Sequence, residues 1–508
     1  MNNEMMIFQS RKFFDEINIS SALRQKIFKE YLGNESCLIE DREASNQVLS
    51  SIINRLQEEL VDWIKSRNPD EIINKLYKLH DECYRFYDYE KKVREKIIYY
   101  GVDDKELNNT FSTNRNIVIN IINSVNLWLE NCLLFQDELG NEYDNSFKLD
   151  KELLLKMALY GTVSRALSLI NLSRKFDSKT MFYGVRINPL AEDPVEPLRD
   201  HPVIYFNPVL TGNQHVFDVS IEEYKNAGKS EFGVAFFHIY GIDFILALRT
   251  MKTFQTELLR RGMYAYRVID KEYFINWVTD HTNGEVNGEV FFDAFVLTQV
   301  KIESQKKEKE PIIWLMGTNR HRHEICPFLC TKDDRISISY TALDQCIQIW
   351  MSIFGNASMA YSTPRSKVKD ELTLAIENRA TYLSKKLVEI LREKLRAHYS
   401  PGFDEIDVRY NRIFGKKEKD YGDYDLVYFA KKTNELFLIE AKYFSDSLNN
   451  SGMITDYEKL FNEKGYYIHC RDRCNLVIQE GKLMKKYIGV DPPKNSESSF
   501  PFHFIKTT

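Results

Sequence analysis

Apolar residues recur at helical spacing from about residue 20 to about residue 180. One set comprises Val48, Leu49, Ile52, Ile53, Leu56, Leu60, Trp63 and Ile64, with charged residues between them. Recurrence at intervals of three and four residues is typical of a helix that buries one face. The pattern therefore predicts that residues 1–185 form a mostly α-helical region.

The pattern changes after residue 185. Four prolines (Pro189, Pro194, Pro197 and Pro202) stand among acidic residues, and proline interrupts helices and sheets alike. The stretch 189–202 is therefore predicted to be a connector.

Strand-like and helix-like runs alternate beyond this connector. Residues 203–206, 288–292 and 311–316 are rich in β-branched and aromatic side chains, whereas 254–261 has a helical pattern. This mixture predicts a mixed α/β middle domain over residues 186–355, suited to recognition or regulation.

A third region begins near residue 356, where small and polar residues precede a long helical pattern over 365–396. Thr363 is placed to cap this helix, and Pro364 to occupy its first position. The pattern predicts a C-terminal domain over residues 356–490 that opens with a long helix.

The rest of this domain alternates between strand-like and helix-like runs. A possible strand at 406–410 precedes a hairpin, and a helix at 454–461 leads into a second strand-like run at 465–468. Residues 491–508 contain two adjacent prolines and a serine-rich stretch, so they are predicted to form a loosely ordered tail. The whole chain is thus expected to be a multidomain protein.

Composition sets broad limits on this organisation. The chain has 508 residues, of which 43% are hydrophobic and 13% aromatic, enough for about two to four domains with buried cores. Lys and Arg together number 69 against 74 Asp and Glu, which gives a net charge of −5. Nucleic-acid binding depends on local charge, so this small net charge does not exclude a basic patch.

Targeting and cysteine usage favour a cytoplasmic protein without a membrane segment. The N-terminal residues lack the apolar run of a secretory signal. The most apolar run, 233–248, contains His238 and Asp243 and is shorter than the ~20 residues of a membrane helix, so we interpret it as a buried core segment. The eight cysteines are expected to be free thiols, or at most a metal site.

The candidate chemistry lies in two β-rich runs that flank the polar residues 431–434. If these four residues form the loop of a hairpin, residue 430 pairs with 435, and Asp425 lies opposite Glu440. Two opposed carboxylates would have Cβ atoms about 5 Å apart, which is unfavourable unless a cation lies between them. The spacing therefore indicates a divalent metal site.

Lys442 would complete this site. Side chains alternate along a strand, so Glu440 and Lys442 project to one face. Carboxylate oxygens suit Mg²⁺, and an ammonium group beside a metal-bound water can orient that water and stabilise charge on a phosphate. The implied reaction is metal-assisted hydrolysis of a phosphodiester bond.

These residues resemble the PD-(D/E)xK nuclease superfamily, with Gly422-Asp423-Tyr424-Asp425 as the acidic strand and Glu440-Ala441-Lys442 as the Glu-x-Lys half. The resemblance covers about the last quarter of the chain, and the sequence lacks the proline that precedes the acidic strand in the family pattern. It implies that Asp425, Glu440 and the backbone carbonyl of Ala441 bind Mg²⁺, for which Mn²⁺ can substitute. It also implies that Lys442 serves the attacking water.

The resemblance further implies a restriction-endonuclease-like α/β domain. A helix precedes a three-stranded antiparallel meander, and another helix and strand follow it. Many members also carry a helical Glu near the metal, and Glu377 is the candidate here. The residues three and four positions away on the helix are uncharged, which would permit partial burial of Glu377; they are Thr373, Leu374, Ala380 and Thr381. A surface ion pair is the alternative role for Glu377.

Two other groups of residues suggest ligands. His321, His323, Cys326 and Cys330 are zinc-type side chains, although their spacing matches no strong zinc pattern and buried packing is the alternative. A second pair, Cys470 and Cys474, could share an ion with them. Basic residues that could contact phosphates, each of which could equally be solvated surface, are Lys416, Lys417, Lys419, Lys431, Lys432, Arg471, Arg473, Lys485 and Lys486.

The sequence therefore predicts a cytoplasmic, magnesium-dependent endonuclease that acts on DNA. Large chains with such a terminal domain are often associated with bacterial defence against foreign DNA or phage, which is an association only. An RNase on the same scaffold, or a scaffold protein that binds nucleic acid without cutting it, remains an alternative. The N-terminal region is a candidate for contact with a second copy or a partner protein.

Overall fold

The computed structural model describes residues 19–65, 67–100, 105–138, 140, 151–175, 182–191, 193–199, 220–261, 266–305, 322–357, 369–441, 459, 465–490 and 502–503. This part of the chain is mostly helical, with several small mixed or antiparallel sheets. The coarse fold class, a protein of mixed helices and sheets, agrees with the prediction.

Long helices fill the N-terminal third. They are α1 (Ser21–Leu32), α2 (Arg42–Lys65), α3 (Pro69–Tyr100), α4 (Lys105–Leu134) and α5 (Lys151–Lys175). The predicted apolar stripe lies on α2, where its buried members are Leu49, Ile52, Ile53, Leu56, Leu60 and Ile64. The prediction of a mostly helical region is confirmed.

A three-stranded antiparallel sheet packs against the helices α2 and α5 of this region. It contains β1 (Cys37–Ile39), β2 (Phe182–Ile187) and β3 (Val195–Arg199), with β2 in the centre. The prediction that the proline-rich stretch excludes sheet was wrong, because Pro197 lies within β3 and faces Val185. Proline is tolerated there because β3 is an edge strand, where the missing N–H leaves no ladder partner unpaired.

The middle of the chain surrounds a four-stranded sheet with short helices. The helices are α6 (Ile221–Lys225), α7 (Glu231–Tyr240), α8 (Phe244–Arg261), α9 (Lys271–His281), α10 (Gly288–Phe295), α11 (Gln299–Gln305) and α12 (Tyr340–Asn356). The strands are β4 (Tyr266–Asp270), β5 (Val296–Leu297), β6 (Phe328–Cys330) and β7 (Arg335–Ser339), in the order β4, β7, β6, β5. The helix predicted at 254–261 is confirmed as the end of α8.

The strand predicted at 288–292 is wrong, because these residues begin α10. The side chain of Asn287 accepts hydrogen bonds from the backbone N–H groups of Glu289 and Val290 and so caps a helix. The buried Phe291, Phe292 and Phe295 then share one side of it. An aromatic run of this length fits a buried helix as well as a strand, and the cap decides between them.

The apolar run 233–248 is confirmed as a core segment. It spans α7 and α8, which meet at an angle of 69°, and most of its apolar side chains are buried. Within the described parts of the chain, the helical segment Lys151–Asn171 is also long and apolar enough to cross a membrane by length and composition alone, but 89% of its apolar window is buried inside the protein. Burial of this kind is typical of a core helix.

One hydrophobic core joins the helical region to the middle sheet. Buried apolar residues from Ile19 to Ile376 form a single cluster, so the predicted boundary at residue 185 does not separate two cores in the described part of the chain. Hydrogen bonds between α3 and the middle region cross this core. Tyr77 Oη on α3 donates to Pro327 O at 3.1 Å, and Ser339 Oγ donates to Asp81 Oδ1 on α3 at 2.8 Å.

Buried polar side chains cross the same interface. His80 on α3 is fully buried beside His323 and Asn126, and His323 Nε2 lies 3.0 Å from Asn126 Oδ1. Burial, reinforced by the neighbouring His323, lowers the pKa of His80 to about 3, while Asn126 acts in the opposite direction. His80 is therefore neutral in the folded protein at ordinary pH.

The C-terminal region contains a second four-stranded sheet between helices. Its elements are α13 (Lys369–Tyr399), β8 (Gly402–Arg409), α14 (Tyr410–Phe414), β9 (Asp423–Ala430), β10 (Glu435–Ile439), α15 (Tyr466–Gln479), α16 (Gly481–Tyr487) and β11 (Phe502–His503). Strands β8, β9 and β10 form an antiparallel meander, and β11 adds to β10 in parallel.

The two faces of this sheet carry separate hydrophobic clusters. Helix α13 packs on one face through Val388 and Leu395. Helices α14, α15 and α16 cover the other face.

An ion-pair group also joins α13 to the sheet. Arg392 and Arg396 on α13 both bond to Asp404 on β8 at 2.6 Å. Burial alone would raise the pKa of Asp404, but the bonds to the two arginines outweigh burial and lower that pKa.

Two predictions in this region were wrong. The strand-like run 465–468 begins helix α15, and the last strand is instead formed by Phe502–His503, within the stretch predicted as a loose tail. Those two residues pair with Leu436 and Phe437, a contact between distant parts of the chain that local pattern cannot reveal. The predictions at 203–206, 311–316 and 454–461, and those for Thr363 and Pro364, fall outside the described residues, apart from Lys459, which is helical.

We predict that titration of His80 makes the protein less stable in acid. Its pKa is lower in the folded than in the unfolded chain, so the unfolded chain binds the proton first as the pH falls below about 6.5. This costs roughly 1 kcal/mol between pH 7.5 and 5.5. In urea unfolding at both pH values, His80→Gln should lose less stability on acidification than the wild type. The exposed His398→Gln is the control, and equal acid sensitivity of His80→Gln and wild type would contradict the prediction.

Candidate active site

The β9–β10 hairpin has the register predicted from the sequence. Pairing runs from Glu435 opposite Ala430 to Ile439 opposite Leu426. Residues 431–434 form the four-residue loop, and Asn434 adopts φ of 57°, a left-handed conformation that asparagine tolerates better than most residues. The next residues beyond this ladder are Asp425 on β9 and Glu440 after β10.

Asp425 is held by the end of β10. Its Oδ2 accepts a hydrogen bond from the backbone N–H of Ala441 at 2.6 Å. This bond replaces the next backbone rung of the ladder and fixes the carboxylate against the residue that follows Glu440. Asp425 and the Glu440-Ala441 pair are thus adjacent, as the sequence predicted for its two acidic motifs.

Glu440 makes an ion pair with Arg473 on helix α15. Arg473 Nη1 donates to Glu440 Oε2, and both side chains are largely buried, with 11% and 12% of their surfaces exposed. The sequence named Arg473 only as one of several basic residues that could contact phosphates or form solvated surface. A cation does therefore accompany the two carboxylates in the protein itself, supplied by a helix that is distant along the chain.

The guanidinium of Arg473 is also bound to the backbone before and at the start of β9. Its Nε donates to Tyr421 O at 2.6 Å, and its Nη1 donates to Asp423 O. Gly422 lies between these carbonyl groups with φ of 72°, and a Cβ there would lie 3.3 Å from Arg473 Nη2. Glycine thus permits the turn that directs both carbonyls towards Arg473.

Tyr424 on β9 contacts the same helix through Arg473. Its buried ring lies 6.0 Å from the guanidinium carbon of Arg473, and its hydroxyl donates to the backbone carbonyl of Arg473 at 3.4 Å. Burial raises the pKa of Tyr424 well above its ordinary value, so the hydroxyl remains a donor. Helix α15 is therefore positioned on the acidic strand by both the side chain and the backbone of one arginine.

Two cysteines on α15 line a small cavity together with Glu440 and Arg473. Cys470 and Cys474 lie one helical turn apart, and the hydrogen bond between their thiols lowers the pKa of Cys470 and raises that of Cys474.

Asp407 is a further feature that the sequence did not reveal. It falls opposite Asp425 in the β8–β9 register and has φ of 52°, a strained conformation within a strand.

Two further predicted site residues are Lys442 and Glu377. Lys442 lies outside the described residues. Glu377 is exposed on α13, about 16 Å along the helix axis before Val388, in the part whose neighbours Ala375 and Ile376 pack into the N-terminal core. No group of three His, Cys, Asp or Glu side chains suited to a metal occurs among the described residues, so Glu377 does not join Asp425 and Glu440.

The predicted basic residues differ in position. Lys431 and Lys432 occupy the hairpin loop, at the opposite end of β9 from Asp425, and Lys431 lies about 20 Å from it along the strand. Lys417 bonds to Glu480 and Lys419 to Asp472, so both are committed to ion pairs within the domain.

Among the described residues, the cysteines and His323 that were considered as zinc ligands form no metal-type cluster, and His321 lies outside the described residues. His323 contacts Asn126 and Glu130, and Cys326 Sγ bonds to a backbone carbonyl. Cys330 belongs with Cys326 to the N-terminal core, whereas Cys474 belongs to the core of the C-terminal sheet. All eight cysteines are free thiols, as predicted.

The donors at the end of the hairpin fit a hard divalent cation. Asp425 and Glu440 carry carboxylate oxygens, and the hydrogen bond from the N–H of Ala441 to Asp425 places Ala441 beside them. Mg²⁺ binds through one or two carboxylates, retains several waters and bridges to substrate phosphates, so a larger set of protein ligands is not required. The ion pair with Arg473 involves one oxygen of Glu440, and a carboxylate has about four lone-pair sites.

Comparisons of this chain with protein-family models, curated proteins and solved structures gave no match. The chemistry of the site is therefore inferred from its own residues. These are the two carboxylates that the hairpin register brings together and the arginine that joins one of them to α15.

We predict that Gly422→Ala destabilises the protein more than Gly489→Ala does, because Gly489 has a similar φ of 69° and its added methyl group would meet no atom within 4 Å. Both glycines have φ near 70°, so each alanine costs about 1 kcal/mol in backbone strain. Only at Gly422 does the added methyl group meet Arg473, whose displacement costs roughly a further 1 kcal/mol. The measurement is the difference in unfolding free energy between the two variants. Equal losses would show that the contact with Arg473 is not sensitive to this turn.

Proposed function

We propose that this protein is a metal-dependent nuclease that hydrolyses phosphodiester bonds, with Asp425, Glu440 and Lys442 as its catalytic core. The observation that carries the proposal is the hairpin register, which places Asp425 and Glu440 at the same end of neighbouring strands. Two carboxylates in that arrangement are suited to a divalent cation, and Glu440-Ala441-Lys442 follows directly.

The order of elements around the hairpin also supports the proposal. Helix α13 precedes the meander β8, β9 and β10, and α15 and β11 follow it. This is the order expected from the resemblance to PD-(D/E)xK nucleases, and we therefore propose a restriction-endonuclease-like fold for the C-terminal region. Residues outside that region are proposed to recognise substrate, a partner or a second copy of the chain.

The residues of the site have distinct roles in the proposed reaction. Asp425, Glu440 and the carbonyl of Ala441 would hold Mg²⁺, for which Mn²⁺ could substitute. Such a cation would supply activation of water and neutralisation of charge on the phosphate. Asp425 is kept in place by the N–H of Ala441, and Glu440 by Arg473. Lys442 orients the attacking water and stabilises the developing negative charge.

We propose DNA as the substrate and the cytoplasm as the compartment. Free thiols at all eight cysteines are typical of proteins in a reducing environment. A role in defence against foreign DNA is the biological setting that we associate with this architecture. The chemistry of the site suits an RNA backbone equally well, so both polymers are included in the experiment below.

We predict that Asp425→Asn, Glu440→Gln and Lys442→Ala each reduce cleavage by about 100-fold or more, because each removes a metal ligand or the group that serves the water. The assay incubates plasmid, linear and single-stranded DNA, and RNA, with the purified protein in Mg²⁺, Mn²⁺ or EDTA. Cleavage of closed circular plasmid indicates an endonuclease, and preferential loss of RNA indicates the RNase alternative.

Two variants provide matched controls. Glu435→Gln removes a carboxylate at the far end of the same hairpin, and Glu377→Gln tests the helical acid that the fold leaves apart from the site. Both are expected to cleave within about twofold of the wild type. Full activity in any core variant with an intact fold would remove that residue from the proposed site. Binding without cleavage under all of these conditions would favour the scaffold alternative.

A further inference from the structure

Arg473 is also held by contacts that do not involve Glu440. Its bonds to the carbonyls of Tyr421 and Asp423 and the ring of Tyr424 beneath it hold the guanidinium to the start of β9. Glu440 comes from a different strand and completes the set. The guanidinium is thus a prepared binding position into which the carboxylate of Glu440 fits.

This geometry depends on the shape of the guanidinium as well as on its charge. A planar fork can donate to two carbonyls and a carboxylate at once, whereas a lysine ammonium is a single point charge on a flexible stem. Arg473 is 11% exposed, so its bonds face little competition from water. An ordinary surface ion pair, which is exposed and contributes little, has neither property.

The contact also connects the two acidic strands. Arg473 bonds at once to the backbone just before Asp425 and to the side chain of Glu440, while Asp425 bonds to the N–H of Ala441. The two carboxylates are therefore fixed relative to each other from both sides. Ligand carboxylates in metal sites are commonly oriented by such hydrogen bonds, and loss of the orienting partner typically costs 10- to 100-fold in affinity or activity.

We propose that Arg473 is a positioning residue that orients the carboxylate of Glu440 for a divalent cation, an inference that rests on the proposed function of this site. Arg473 bonds to one oxygen of Glu440, and in the proposed site the orientation set by this bond is the one in which the carboxylate would bind the cation. Arg473 does not react and does not contact the cation.

The sign of the effect separates this role from a purely electrostatic one. A guanidinium beside a cation site repels the cation, so removing its charge would by itself strengthen cation binding. Loss of the orientation of Glu440 would instead weaken cation binding. Weaker binding after removal of Arg473 can therefore be attributed to lost position and not to lost charge.

The test is Mn²⁺ binding to the full chain, measured by electron paramagnetic resonance or calorimetry in the absence of nucleic acid. We expect Arg473→Gln to bind Mn²⁺ about 10- to 100-fold more weakly than the wild type. Arg473→Lys keeps the charge and loses the fork, and it is also expected to bind more weakly. The Mg²⁺ concentration for half-maximal cleavage should rise in parallel in both variants.

Arg471→Gln is the matched control, because it removes an exposed arginine two residues away on the same helix. Its Mn²⁺ affinity should equal that of the wild type. Gly422→Ala disturbs the position of Arg473 without removing it and should weaken binding as well, which keeps the test decisive if Arg473→Gln fails to fold. Circular dichroism and thermal unfolding establish that the compared variants are folded.

Two results would overturn the inference. Equal or tighter Mn²⁺ binding in Arg473→Gln would assign Arg473 to charge balance, and wild-type affinity in Arg473→Lys would show that charge alone suffices. Failure of the proposed function is a separate result, in which the wild type binds no Mn²⁺ at the site and Asp425→Asn and Glu440→Gln do not differ from it. If the wild type binds Mn²⁺ and cleaves nucleic acid, and Arg473→Gln has the same Mn²⁺ affinity, only the positioning role of Arg473 is contradicted and the proposed function stands.

Discussion

The register of the β9–β10 hairpin is the constraint on which the site depends. A slip of one residue would turn every side chain of a strand to the other face of the sheet, exchanging the packing against α13 for that against α15. The four-residue loop and the buried pairs Leu426–Ile439 and Val427–Leu438 fix the pairing. The hydrophobic core therefore determines that the two carboxylates lie at the same end of adjacent strands.

Once the carboxylates are together, their mutual repulsion must be offset. The protein does so with groups that are already held by the fold: the N–H of Ala441 at Asp425 and the guanidinium of Arg473 at Glu440. The left-handed turn at Gly422 makes the second of these possible by directing two carbonyls towards Arg473. Helix α15 is thus joined to the sheet through the same polar contact that balances the charge of the site.

Helix α13 connects this sheet to the rest of the protein. Its 31 residues span about 46 Å, and its two ends pack into different cores. Ala375 and Ile376 belong to the N-terminal core, whereas Val388 and Leu395 cover the C-terminal sheet. The position of Glu377 follows from this division, because it lies on the half of the helix that serves the other core.

The sequence by itself determined the helices of the N-terminal third and the hairpin with its register, at whose end Asp425 and Glu440 lie. These features depend on local periodicity and on the length of a short loop, both of which can be read from neighbouring residues. Local pattern failed where a distant partner or a cap decided the outcome, as at 288–292, in α15 and at β11. Only the tertiary structure placed Arg473 on Glu440, because 33 residues separate them and nothing in the intervening chain specifies where α15 packs. It also separated Glu377 from the acids, since the side on which each half of α13 is buried depends on cores assembled from remote parts of the chain.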